Sequence, residues 1–249
     1  MSIQKSALVI LSLFLISWVN QTPEENLELP KIIEGDQIIQ HYAYTLSYNE
    51  EYEQANWIAY SLKSSELKKV AKRSNRFKPD PYVKTETPIT SDYSKTGFDR
   101  GHLAPAADMA FSTIAMEESF FMSNISPQRP KFNRGIWKKL EAKVREWASK
   151  EGELFIVTGP ILSDKPDNFI GRTCKIAIPN YFYKALLDTT GIDKAIAFIL
   201  PNKGSKLPLS DYVVSVDSLE SVIGRDLFHS LPDSIEDHLE KSSRYTDWN

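Results

Sequence analysis

The chain has 249 residues, 41% of them hydrophobic and 25% charged, a composition of folded globular proteins that excludes fibrous and disordered designs. The single Cys174 excludes an internal disulfide, a cysteine-ligated structural zinc and an iron–sulfur cluster. Lys+Arg total 30 against Asp+Glu 33, a net charge of −3 that does not by itself point to a nucleic-acid binder.

At the N-terminus, Ala7 to Val19 is an apolar run preceded by Lys5 and followed by Asn20-Gln21-Thr22-Pro23. It falls short of the ~20 residues of a membrane span and has the length of a secretory h-region. Residues 1–22 are therefore read as a signal peptide or, because no small-x-small pair closes the run, an uncleaved N-terminal anchor. A secreted or periplasmic location follows as an expectation, with membrane contact only through an uncleaved leader. Residues 23–40 read as an acidic, partly extended connector.

His41 to Leu46 and Asn56 to Leu62 carry the aromatic and β-branched pattern of two strands joined by a polar turn. Pro79, Pro81 and Pro88 make Phe77 to Lys95 a loop. Between Ala104 and Phe121, the apolar positions Met109, Ile114 and Met116 predict a helix. Phe132 to Lys150 places apolar residues near a 3.6-residue period and predicts a helix closed by Gly152. Leu154 to Thr158, ended by Gly159-Pro160, reads as a buried strand. Ile176 to Ile178, Tyr181 to Leu187 and Ala195 to Leu200 are further strands. Leu209 to Ser215 reads as a strand entering a helix with Asp217 as its N-cap. Strands near both ends with helices between them predict one α+β domain over residues 41–249, its central sheet mostly antiparallel or mixed and flanked by helices.

Charge is unevenly spread. Glu24 to Glu53 is acidic, with Lys31 as its one basic residue, and Asp217 to Glu240 is acidic again. Lys63 to Lys84 and Arg129 to Arg145 are basic, with only Glu66 and Asp80 opposing the first block and Glu141 the second. The two basic blocks are either solvated helix faces or the walls of one positive cleft, which would focus potential more than net charge suggests.

G-x-S-x-G, phosphate-loop, G-x-G-x-x-G and H-E-x-x-H motifs are all absent, and His41, His102, His229 and His238 are too dispersed for a local metal clip. The informative stretch is Asp99-Arg100-Gly101-His102, followed by Ser123-Asn124-Ile125-Ser126-Pro127-Gln128 and then Phe132-Asn133-Arg134-Gly135-Ile136-Trp137. A neutral imidazole is a suitable general base for phosphodiester hydrolysis, its unperturbed pKa being about 6.5.

Together these segments resemble the DNA/RNA non-specific endonuclease family, whose D-R-G-H motif lies on a ββα-metal (His-Me) finger. Residues 156–160, 178–187 and 215–228 are similar to the later sheet and tail of the same family. The resemblance implies a Mg²⁺-dependent endonuclease, with Mn²⁺ as an alternative ion, that hydrolyses DNA and RNA to 5′-phosphate products. It implies His102 as general base and Asn133 as the direct metal ligand. It also implies Glu141 as a partner that orients metal waters, and Arg100 and Arg145 as phosphate contacts. A further phosphate arginine is Arg73 or Arg76, whose register the spacing leaves open. Asp99 is expected to orient the motif by hydrogen bonds, and Gly101 to permit close backbone approach or a positive φ. Asn124 begins an Asn-Ile-Ser glycosylation triplet but is expected to be a structural neighbour of the site, and Trp137 is expected in the core.

Glu141 lies eight positions after Asn133, an angular offset of about 80° on an α-helix, so both can face one cleft. It also stands at i,i+4 to Arg145, a spacing at which the two can pair. Two other functions stay open on the sequence: a polyanion-binding module without activity, and a phosphodiesterase acting on small nucleotides.

Overall fold

The strands of this protein alternate strictly between two apolar environments, and the alternation sets the architecture. In the computed structural model, which describes residues 26–163 and 165–248, a seven-stranded antiparallel sheet is ordered β1-β2-β3-β6-β9-β10-β11. Its strands are β1 (Gln37–Gln40), β2 (Thr45–Asn49), β3 (Gln54–Lys63), β6 (Glu153–Ile161), β9 (Tyr181–Asp188), β10 (Lys194–Pro201) and β11 (Val213–Val214). Ile58, Tyr60, Ile156, Leu186 and Phe198 point to one face. Trp57, Ala59, Val157, Ala185 and Ala197 point to the other, the period of two that a pleated strand imposes.

On the first face lies α2 (Lys138–Glu151), burying Leu140, Val144 and Trp147 against the sheet. On the second lie α3 (Val216–Ile223) and α4 (Asp233–Glu240), burying Val216, Leu219 and Leu239. Covering both faces explains why Leu154 to Val157 and Ala195 to Leu200 read as near-continuous apolar runs.

A smaller two-stranded sheet pairs β4 (Asp99–His102) with β5 (Ile125–Gln128), with His102 opposite Ile125. The short α1 (Thr113–Glu118) lies in the connection between these strands. A π-turn, Phe132–Trp137, then leads directly into α2, so β4, β5 and α2 form a ββα unit. Another short ladder pairs β7 (Phe169–Ile170) with β8 (Ile176–Ala177).

The α+β architecture with its large antiparallel sheet agrees with the sequence reading, while several boundaries differ. Gln37–Gln40, assigned to the connector, is a strand paired with β2. His41 to Tyr44 is a turn instead of a strand, and His41 is buried because its Nε2 meets Asp80 Oδ2 at 2.9 Å. The helix expected over 104–121 shrinks to α1, since the preceding loop is held by Asn124. Gly159-Pro160 does not end its strand: β6 runs on to Ile161, with Gly159 paired to Tyr183. The N-cap of α3 is Ser215, whose side chain accepts from Ser218 N–H, and Asp217 occupies the first turn. Most of the strand expected over 209–215 is a 3₁₀ turn, Leu209–Tyr212. Gly152 closes α2 as expected, at φ 102°. The apolar leader lies outside the described residues. Among the described residues no helix is long and apolar enough to cross a membrane.

Candidate active site

The motif begins with a packing constraint. A Cβ on Gly101 would stand 2.2 Å from the Gln128 side chain on the paired strand, so close approach, and not a positive φ, requires glycine there. This lets β4 lie flat on β5 and delivers His102 at the strand's end. Asn124 then fixes the chain beyond the motif, accepting from Ala104 N–H at 2.8 Å and donating to Ala104 and Ser119 carbonyls at 2.9 and 2.8 Å. It is fully buried, so its role is structural and the glycosylation triplet is out of reach.

Asp99 joins the strand to the helix. Its Oδ2 accepts from Asn133 Nδ2 at 2.9 Å and from Arg134 Nε at 2.8 Å, and its Oδ1 accepts from Arg134 Nη2 at 2.6 Å. Burial alone would raise the Asp99 carboxyl, but the bonds from Arg134 and Asn133 outweigh it and hold the group below its usual range. The Asn133 amide is thereby oriented, with its nitrogen spent on Asp99 and its oxygen left for another partner. Asn133 owes its position to the π-turn, in which Gly135 departs from helical geometry at φ −110° and ψ −110°. Such turns mark functional positions in many helices.

His102 is walled by two phenylalanines, with Phe120 edge-on at 4.8 Å between centroids and Phe77 at 5.6 Å. Each ring also carries an arginine, Arg73 over Phe120 at 5.0 Å and Arg100 over Phe77 at 4.7 Å. Burial, and then the charge of Arg73, pushes the imidazole down to about 3, which keeps it neutral at physiological pH. Its Nε2 is buried with no hydrogen-bond partner.

A cavity of about 450 Å³ gathers Arg73, Arg100, His102, Asn133, Arg134, Lys138, Glu141 and Arg145 on its walls. The second basic block therefore lines this cleft through Arg134, Lys138 and Arg145, joined from the first block by Arg73 alone. Arg76 lies outside this cavity, 3.7 Å from Glu117. Trp137 is in the core, fully buried.

The sequence reading missed a group of residues beneath the cavity. Arg145 does not pair with Glu141: its Nη1 meets Asp108 Oδ1 at 2.7 Å, and Tyr60 donates to Asp108 Oδ2 at 2.9 Å. Lys184 on β9 is completely buried, with its ammonium 5.2 Å from the Trp137 ring and 5.9 Å from the Tyr60 ring. Burial and the negative charge of Asp108 push Glu141 upward, against the pull of Lys184, Arg145 and Arg73. Burial in turn pushes Lys184 downward, against the pull of Glu141 and Asp108. A lysine in mid-strand, between apolar neighbours, was the signal that could have revealed this network.

The Asn133 amide oxygen and the one carboxylate on the cavity wall, Glu141, are hard oxygen donors of the kind that Mg²⁺-type ions prefer. Asn133, with its free oxygen, and Glu141 fit such an ion.

Comparison with known proteins agrees with this geometry. Residues 26–234 match the sequence profile of the DNA/RNA non-specific endonuclease family. The match starts upstream of His41 and takes in β1. The chain is 36% identical over 214 residues to a nuclease of Nostoc sp., covering 79% of this chain and 75% of that protein. It is 34% identical over 209 residues to Nuclease C1 of Cunninghamella echinulata, covering 78% and 83%. It is also 35% identical over 205 residues to the mitochondrial Nuclease EXOG of Danio rerio, covering 76% of this chain and 60% of that protein. A solved structure of an EndoG/EndoGI complex, described as showing how EndoG is inhibited, contains a chain that superposes with a TM-score of 0.75 at 27% identity. The match covers 86% of this chain and 91% of that one. A ββα unit with its motif histidine in a basic cleft, matched in sequence and in fold to nucleases, places this chain in the DNA/RNA non-specific endonuclease family as a hydrolytic nuclease.

Proposed function

We propose that the chain is an exported, divalent-metal-dependent endonuclease that cuts DNA and RNA without regard to sugar, with His102 as the general base. The observation that carries this reading is the shared cavity, in which a neutral imidazole lines the same space as an oriented amide and several arginines.

In this reading the His102 imidazole takes a proton from the attacking water as its oxygen bonds to phosphorus. The P–O3′ bond breaks, its electron pair leaving on the 3′ oxygen, which takes a proton from solvent in the cavity, giving a 5′-phosphate and a 3′-hydroxyl. Arg73, Arg100 and Arg145 hold the phosphate and offset its growing negative charge, since guanidinium forks match phosphate oxygens and keep their charge. An anionic phosphate beside the ring counters Arg73 and raises the basicity of His102. Asn133 would ligate Mg²⁺ or Mn²⁺ directly and Glu141 would orient the waters on it, and the ion when bound supplies Lewis acidity toward the scissile phosphate. Contacts to phosphate and sugar carry no base information, so sequence preference is weak.

Supercoiled plasmid and single-stranded RNA, incubated with the protein and MgCl₂ with and without EDTA, test the reading. Nicking and degradation abolished by EDTA are expected. Salt-sensitive retention of DNA without cleavage would instead identify a polyanion-binding module, and hydrolysis confined to small nucleotide diesters a phosphodiesterase. Export rests on the apolar run Ala7 to Val19 and is checked by mass spectrometry of the mature N-terminus.

A further inference from the structure

On the sheet face opposite the active site, α3 and α4 bring together Asp217, Glu220 and Glu240. One carboxylate oxygen from each lies within 4.8 Å of the others. Two ligands on opposite sides of a calcium ion stand about 4.8 Å apart, twice a Ca–O distance of about 2.4 Å, so the three oxygens fit around one ion.

Acidic clusters are common on surfaces, but this one has a buried member. Glu240 is only 5% exposed, and its Oε1 is buried with no hydrogen-bond partner. Glu220 has one donor, the backbone N–H of Leu227. The charges acting most strongly on Glu240, those of Glu220, Glu236, Asp217 and Asp226, are all negative. The nearby cations are committed elsewhere: Lys31 to Asp226 at 3.1 Å, Arg225 to Asp36 at 2.8 Å and Lys241 to Asp237 at 3.5 Å. Leu219 and Leu239, buried neighbours of these acids in α3 and α4, form an apolar floor. A buried carboxylate oxygen with no donor and only like charges around it is strongly destabilising unless the group takes up a proton or a cation sits against it.

We propose that Asp217, Glu220 and Glu240 form a site for a hard divalent cation of calcium size, which ties α3 to α4 on the back of the sheet. Three carboxylates leave room for the waters that complete a coordination number of six to eight. Burial followed by the charge of Glu220 pushes Glu240 up to about 9 without an ion, in keeping with a missing counter-charge. The site is separate from the catalytic cavity, so its ion stabilises the fold and takes no part in hydrolysis.

The test is thermal unfolding of the full chain, stripped with EDTA and titrated with CaCl₂. A saturable rise in Tm is expected, because a ligand that binds only the folded state stabilises it by mass action. Glu240→Gln and Asp217→Asn should each weaken the apparent calcium affinity by about tenfold or more. Asn133→Ala should leave the calcium response in place. Absence of any rise overturns the proposal, as does a rise that survives both α3–α4 variants. A rise lost in Asn133→Ala but kept in Glu240→Gln also overturns it, by placing the ion in the catalytic cavity. Should Glu240→Gln fail to fold, Asp217→Asn decides, because Asp217 is not a buried residue.

Discussion

Around Glu141 each carboxylate has a cation at hand: Asp108 is paired to Arg145 at 2.7 Å, and Lys184, Arg145 and Arg73 all act on Glu141. Around Glu240 the strongest neighbours are acids, and a buried oxygen goes without a partner. The two clusters use the same residue types on opposite faces of one sheet. In the first, fixed cations offset buried acids and leave a net positive cavity ready for phosphate. In the second, the missing charge must come from solution. Acid content therefore says little about a site until its counter-charges are located, and a chain of net charge −3 can still present a basic cleft.

The largest effect that separates the two halves is chemical. His102→Ala should lower plasmid cleavage by about 10²–10⁴-fold, the usual worth of a general base, with the circular dichroism spectrum unchanged. Near wild-type cleavage would remove His102 from the reaction. Next in size is Lys184→Met, which leaves Asp108 and Glu141 short of a buried cation. Urea unfolding should show a loss of about 3–5 kcal/mol, the cost of stripping one partner from a buried ionic group. An unchanged midpoint would mean that the acids around Glu141 do not depend on this lysine.

Those residues also mark where the sequence stops being legible. The D-R-G-H stretch could be read from its resemblance to the family's motif, while the reason for Gly101 needed the Gln128 side chain on the paired strand. The helix from Phe132 could be read from its period, though not its π-turn, because Gly135 preserves the apolar spacing while bending the backbone. His41 looked like the start of a strand, yet its partner Asp80 lies 39 positions away. The partners of Lys184 and Asp108 were hidden for the same reason, since they come from other elements, although a lysine amid the apolar run of a strand was itself a signal. Which of Arg73 and Arg76 lines the cavity also needed the fold: Arg73, lying over Phe120, is on its wall, while Arg76 turns to Glu117. Along Asp217 to Glu240 the sequence shows only an acidic run, and the fold alone reveals that Glu240 is buried.

A smaller and more diagnostic effect concerns pH. His102 is depressed to about 3 in the fold against about 6.5 in the unfolded chain. The unfolded state therefore binds a proton first as pH falls, and the stability this site contributes is complete above about 6.5 and is lost progressively toward 3. Unfolding free energies measured between pH 7 and pH 4 should fall less steeply in His102→Asn than in the parent chain. Equal slopes would mean that the imidazole is not held neutral by burial.

The smallest expected change lies on the other face. In EDTA at neutral pH, Glu240→Gln should raise stability by about 1 kcal/mol, because Glu240, pushed up to about 9, must take up a proton on folding and an amide need not. Plasmid cleavage with MgCl₂ should not change, as Glu240 touches no wall of the catalytic cavity. Added calcium should reverse the order of stability, favouring the parent chain that keeps its third carboxylate. An equivalent removal of charge beneath the active site, at Asp108, should have the opposite sign in EDTA, since it strands Arg145 instead of relieving repulsion. Opposite signs from the same acid-to-amide change are what distinguish a charge-balanced cluster from one that waits for an ion.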